Sequence, residues 1–141
     1  MSDSTPCTPG NDRLTQPDEL LYRQVHPQWI RDGELKTPAF TPGSGDDGLL
    51  SVSRSSLIGA EASWQRHTQI KGLSSAGVWG VTVTEAERPC LADPTEDPPD
   101  DAHAVIDFRG LSRGQREAVA KRLKTAAQRR GCLYAPALPP A

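Results

Sequence analysis

Long apolar runs are the most conspicuous absence from this sequence. Nowhere in its 141 residues does a stretch approach the ~20 consecutive apolar positions that a membrane helix requires, which excludes a helical span. Cysteine is sparse as well. Cys7, Cys90 and Cys132 are odd in number and contain no CxxC, so they exclude a disulfide framework and fit a reducing, cytoplasmic setting. No GxGxxG or GxxxxGK[ST] occurs, and Gly43-Ser44-Gly45 is followed by neither lysine nor helix, so Rossmann and P-loop nucleotide sites are unsupported. HxxH and HExxH are also missing, and with them any expectation of a bound metal or cofactor. The amino-terminal residues lack the basic-then-apolar pattern of a secretory signal.

What is present describes one domain. The 12 glycines and 13 prolines are not evenly spread, for the prolines crowd at the start, around 89–99 and at the end. This predicts a disordered leader over 1–18, one domain over 19–134 and a Pro-rich tail over 135–141. Leu20–Val25 reads as a strand stopped by Pro27, with a turn at Asp32-Gly33. Residues 41–48 read as a loop before a second strand, Leu49–Ser53. A helix is expected from Ala60 to Lys71, with Ala60, Trp64, His67 and Lys71 on one face and Trp64 anchoring it in the core.

Residues 76–83 carry apolar groups on both faces, as a central strand does, and their glycines allow close backbone approach. The acidic stretch 85–101 reads as a loop with Cys90 as a solvent-facing thiol, and Ala102–Phe108 as a third strand. Ser112 and Gln115 open the last helix with a capping box, and Val119, Leu123, Ala126 and Ala127 form its buried stripe. Gly131 ends it, and Leu133-Tyr134 packs back on the body. The fold class that follows is α+β: a small mixed or antiparallel sheet of three to five strands with two helices packed on one face. Trp64, Trp79, Ile106, Phe108, Val119 and Leu123 are its expected core.

Five stretches stand out together: Leu21-Tyr22-Arg23-Gln24-Val25-His26-Pro27, Ala39-Phe40-Thr41-Pro42, Leu50-Ser51-Val52, Gly77-Val78-Trp79-Gly80-Val81 and His103-Ala104-Val105-Ile106-Asp107-Phe108. Their order and spacing resemble a family of short bacterial proteins of unassigned function. The resemblance covers roughly 20–134 and implies a bacterial cytoplasmic protein, but it brings no activity with it.

Arg23, His26, His103 and Asp107 are the polar residues in unusual places, each within or beside an otherwise apolar strand. One reading makes them a catalytic pocket of a small enzyme acting on a nucleotide or nucleic acid, with histidine as general base. The other makes them structural. Arg23 then pairs with Asp107, His26 caps a turn before Pro27 and His103 bonds a backbone carbonyl. His103 and Asp107 share a strand face about 13 Å apart, too far to bond each other.

Charge is laid out unevenly. Residues 109–130 hold Arg109, Arg113, Arg116, Lys121, Arg122, Lys124, Arg129 and Arg130 against Glu117 alone, a local charge of +7. Residues 85–107 hold eight acids against Arg88, a local charge of −7, hidden in a formal total of −2. The basic side chains are spread around the helical wheel rather than gathered as a groove-reading helix would gather them. The leading functional expectation is therefore an accessory protein that binds a protein partner through this polarised surface. An enzyme using the Arg/His/Asp set and a nucleic-acid binder using the last helix are the alternatives.

Overall fold

The structure, a computed structural model, describes residues 12–43, 45–96 and 99–136. In chain order its elements are β1 (Asp12–Arg13), β2 (Leu20–Val25), β3 (Ile30–Arg31), β4 (Glu34–Leu35), β5 (Leu49–Arg54), α1 (Ala60–Gln65), β6 (Gly77–Thr82), α2 (Val83–Ala86), β7 (Cys90–Ala92), β8 (Thr95–Glu96), β9 (Pro99–Asp100), β10 (His103–Asp107) and α3 (Arg113–Arg130). Short 3-10 turns occupy Pro27–Trp29 and Thr37–Phe40, and a π-helical turn, Arg66–Ile70, continues α1. Six strands make one antiparallel sheet in the order β1-β7-β10-β5-β2-β6, while β3–β4 and β8–β9 are separate ribbons. No helix among the described residues is long and apolar enough to cross a membrane.

Strand alternation sorts the sheet into two unlike faces. On one, Leu21, Val25, Leu50, Val52, Val81, Ala104 and Ile106 form a continuous core with Phe40, Trp79, Phe108 and the α3 residues Val119, Ala120, Leu123 and Ala127. Burying Leu123 completely is worth ~2 kcal/mol or more. The capping box holds α3 in place from its first turn, Ser112 Oγ accepting from Gln115 N at 3.2 Å while Gln115 Oε1 accepts from Ser112 N at 2.8 Å. The other face carries Tyr22, Gln24, Ser51 and Ser53, and α1 lies over it. There Ser63 Oγ donates to Ser53 Oγ at 3.2 Å and accepts from Gln24 Nε2 at 2.9 Å.

The α+β class and the antiparallel sheet agree with the sequence, but the architecture differs in two respects. The sheet has six strands rather than three to five, because Asp12–Arg13 and Cys90–Ala92 join it through short ladders that composition alone does not signal. The two helices lie on opposite faces rather than one. The α1 face mixes buried Val78 and Val105 with Tyr22, Gln24, Ser51 and Ser53, and hydroxyl and amide hydrogen bonds join helix to sheet there, so no continuous apolar stripe marks it in the sequence.

The described residues of 85–101 are also more ordered than a loop. Within it β7 runs between β1 and β10 and buries Cys90 to 1% exposure, so this thiol does not face solvent; burial pushes its pKa up to about 11. Within the leader expected at 1–18, residues 12–18 are tied to the body. Leu14 is buried and donates its N–H to the Cys90 carbonyl at 2.8 Å, and Pro17 accepts from Thr84. Residues 1–11 and 137–141 lie outside the described residues.

Trp64 is half-buried against Tyr134 rather than central, its Nε1 donating to the Ser75 carbonyl at 3.1 Å. Trp79, Ile106, Phe108, Val119 and Leu123 are buried as expected. Strand β6 ends the ladder instead of sitting at its centre. Its outer edge is covered all the same, for Val78 N donates to the Tyr134 carbonyl at 2.7 Å and Leu133 N to the Val78 carbonyl at 2.8 Å. A Cβ on Gly77 would stand 2.8 Å from that Tyr134 oxygen, so the glycine is what lets the carboxy-terminal segment pair there.

Candidate functional site

Strands β2 and β5 pair only at Leu21–Arg54 and Tyr22–Ser53, and beyond this point they part. The Arg23 guanidinium occupies the gap. Its Nη1 donates to the Ser51 carbonyl at 3.0 Å and its Nε to the Ala39 carbonyl at 2.7 Å, and its carbon lies 5.3 Å from the centre of a Trp29 ring. An arginine side chain thus replaces the backbone donors that a continued ladder would have supplied. Burial lowers the Arg23 pKa to about 10, which leaves it charged near neutrality.

A cavity of about 50 Å³ opens beside this gap, lined in part by Tyr22, Arg23, Ser51, His67, Lys71 and His103. His103 Nδ1 lies 2.7 Å from the Asp93 carbonyl oxygen and 3.4 Å from Oδ2 of the same residue. Lys71 Nζ is 3.4 Å from Oδ2 of buried Asp100, which also lies 3.9 Å from Arg66 Nε. His67 is pushed down to about 4, first by burial and then by the Lys71 and Arg23 charges, with a main-chain hydrogen bond at Ser74 opposing them. At neutral pH it is an uncharged imidazole in a positive field.

Of the four residues singled out in the sequence, the structure brings Arg23 and His103 to this cavity and leaves the other two outside its lining. His26 Nδ1 accepts from Gln28 N at 3.1 Å and caps the 3-10 turn, with its ring against Trp29. Asp107 accepts from Arg109 N and Nε at 2.8 and 3.0 Å, which holds its carboxyl below the usual range. The pair expected between Arg23 and Asp107 does not form, because Arg23 is taken up by two carbonyls. Sequence reasoning missed His67 and Lys71 as cavity residues. Their signal is the common face with Trp64, which the sequence alone presents as a packing face.

The cations of α3 divide between its two flanks. Arg130 donates to both carboxylate oxygens of Glu85, at 2.8 and 3.0 Å, and to the Gly80 carbonyl; Arg122 reaches the Ala86 carbonyl and sits 3.7 Å from Glu87. These two residues bind α3 to α2. Part of the acidic stretch thus neutralises part of the basic helix within the molecule. Arg113, Lys121, Lys124 and Arg129 have no carboxylate within ion-pair distance among the described residues, and Arg116 Nε donates weakly to the Leu111 carbonyl at 3.4 Å.

Two grooves follow the free flank. The larger, about 650 Å³, lies between the 3-10 turn at Thr37–Phe40 and the first turns of α3, with Pro38 and Leu111 on its walls beside Arg113, Arg116 and Glu117. The smaller, about 290 Å³, runs between Glu34-Leu35 and Lys124, Gln128 and Arg129. Gln128 fixes that wall, as its Oε1 accepts from Leu35 N at 2.6 Å and its Nε2 donates to the Gly33 carbonyl at 3.1 Å. The ribbon itself turns at Asp32-Gly33, where φ is 53° and 79°, the left-handed pair that a two-residue hairpin requires. Comparison with known proteins finds no family model, curated protein or solved structure that matches this chain.

Proposed function

We propose that the chain is a small accessory protein that docks an extended acidic segment of a protein partner along the seam between α3 and residues 34–41. The observation that carries this reading is the alignment of both grooves with the free flank of α3. Arg113, Arg116, Lys124 and Arg129 line them against only Glu34 and Glu117, beside apolar Pro38 and Leu111. Apolar walls with uncompensated cations suit a ligand that alternates carboxylates with aliphatic side chains. From Arg113 to Arg129 the helix rises about 24 Å, a length that an extended peptide of about seven residues spans. A bacterial cytoplasmic setting belongs to the same proposal and rests on the five sequence stretches.

Nucleic acid fits this surface less well. Arg122 and Arg130 are held by α2, and the remaining cations border a groove with apolar walls. The test is fluorescence anisotropy with a labelled peptide of alternating glutamate and leucine, set against a labelled DNA duplex. The reading expects saturable peptide binding that Arg113→Glu with Lys124→Glu weakens by at least about tenfold. Tighter duplex binding with a steep salt dependence would give the surface to nucleic acid instead.

A further inference from the structure

The gap between β2 and β5 is a second site, distinct from the α3 seam. The geometry points to an oxyanion site here, one that takes a phosphate-sized group among Arg23, Lys71, His103 and the Ser51 hydroxyl. Arg23, Lys71, His67 and His103 line this cavity together with the Gln24 amide, and no carboxylate does. Asp93 and Asp100, which pair with His103 and Lys71, lie outside its lining. Arg23 has carbonyl partners but no carboxylate within ion-pair distance among the described residues, although its guanidinium is enclosed by strands, the 37–40 turn and Trp29. Asp46 acts on Arg23 through space and Asp100 pairs with Lys71, yet neither lines the cavity, and the excess of cationic groups on its walls favours an anion from outside.

Hydroxyl donors complete the set. The Ser51 hydroxyl and the Tyr22 phenol make no side-chain hydrogen bond among the described residues. Size limits the ligand. About 50 Å³ holds a few waters or one small oxyanion and excludes a nucleoside. A phosphate monoester would therefore insert only its phosphate and leave the remainder outside. The tetrahedral oxyanion is preferred to a carboxylate because the donors come from several directions: the gap between strands, the π-helical turn and β10.

The site also has its own reporter. An anion beside His67 would offset the Lys71 and Arg23 charges that now oppose its protonation, so binding should raise the His67 pKa. The test is NMR of the protein with ¹³C-labelled histidine rings, titrated with inorganic phosphate and, in a parallel arm, with methyl phosphate, both at constant ionic strength. Saturable shifts of the His67 and His103 rings with a rise in the His67 pKa are expected. Equal response to both ligands identifies the phosphate group of a monoester as the ligand, and response to inorganic phosphate alone identifies the free ion.

Lys71→Met should weaken binding by about tenfold or more. Ser51→Asp, at an exposed position of the lining, places a fixed carboxylate there and should abolish it without touching the fold. Ring signals that do not move, that drift without saturation, or that respond equally in the Ser51→Asp protein would overturn the assignment.

Discussion

The Arg23 side chain donates to the Ser51 carbonyl across a gap where two neighbouring strands have ceased to pair. A guanidinium here performs the work of a strand. It satisfies the carbonyl of buried Ala39 on the 37–40 turn, bonds that of Ser51 on β5 as well, and brings a positive charge to the cavity beside them. Replacing it with methionine keeps the volume and removes both bonds. Arg23→Met should lower stability by about 2–4 kcal/mol in urea unfolding, with Arg23→Lys between it and the parent. Equal stability of Arg23→Met and the parent would show that the gap needs no donor.

Acid should weaken the fold in a window set by His67. The imidazole takes a proton near pH 6.5 when unfolded and near 4 when folded, so the unfolded chain binds it first. Its contribution is complete above about pH 6.5 and is lost as the pH falls towards 4, at no more than ~1.4 kcal/mol per pH unit. Below that window a second loss follows, as Glu85 and Asp107 give up the hydrogen bonds from Arg130 and Arg109 that hold their carboxyls low. His67→Gln should flatten the first window and leave the second unchanged, as read from urea midpoints across the pH range.

Thiol chemistry separates the two described cysteines. Cys132 is exposed, whereas Cys90 is buried and its thiol is held protonated far above neutrality. A maleimide at pH 7.5 should label Cys132 within minutes and reach Cys90 only after denaturant is added, as mapped by peptide mass spectrometry. Rapid native labelling of Cys90 would contradict the placement of β7 inside the sheet.

Gly77 gives a backbone test. A methyl group there meets the Tyr134 carbonyl at 2.8 Å, so Gly77→Ala should displace the carboxy-terminal segment from β6. The expected cost is about 1–3 kcal/mol, with faster hydrogen exchange at the Val78 and Leu133 amides, which lose their partners. Trp79→Ala should cost more, about 3–5 kcal/mol, because it empties core volume rather than loosening an edge.

These residues also show what could be read without coordinates. Local signals held: the Ser112–Gln115 capping box, the Asp32-Gly33 turn and the Val119–Leu123 stripe each depend on neighbours in sequence. The glycines of β6 signalled a close approach, and Leu133-Tyr134 is what approaches. Signals that depend on distant partners were lost. Gln24 and Ser53 resemble a solvated strand face until Ser63 of α1 is bonded to both. Arg23 resembles one half of an ion pair until the parting of β2 from β5 gives it carbonyls instead. Cys90 follows a proline in an acidic stretch, and only its pairing with β10 reveals a strand.

The central claim is that the free flank of α3 and the 34–41 segment form one docking seam, and mapping the contact residue by residue tests it most directly. A ¹H–¹⁵N correlation spectrum recorded with the glutamate–leucine peptide should show saturable shifts at Leu35, Thr41, Arg113, Arg116, Lys124 and Gln128, while Arg122 and Arg130 on the opposite flank stay in place. Shifts centred on Arg122 and Arg130, or spread evenly over every basic residue, would contradict it.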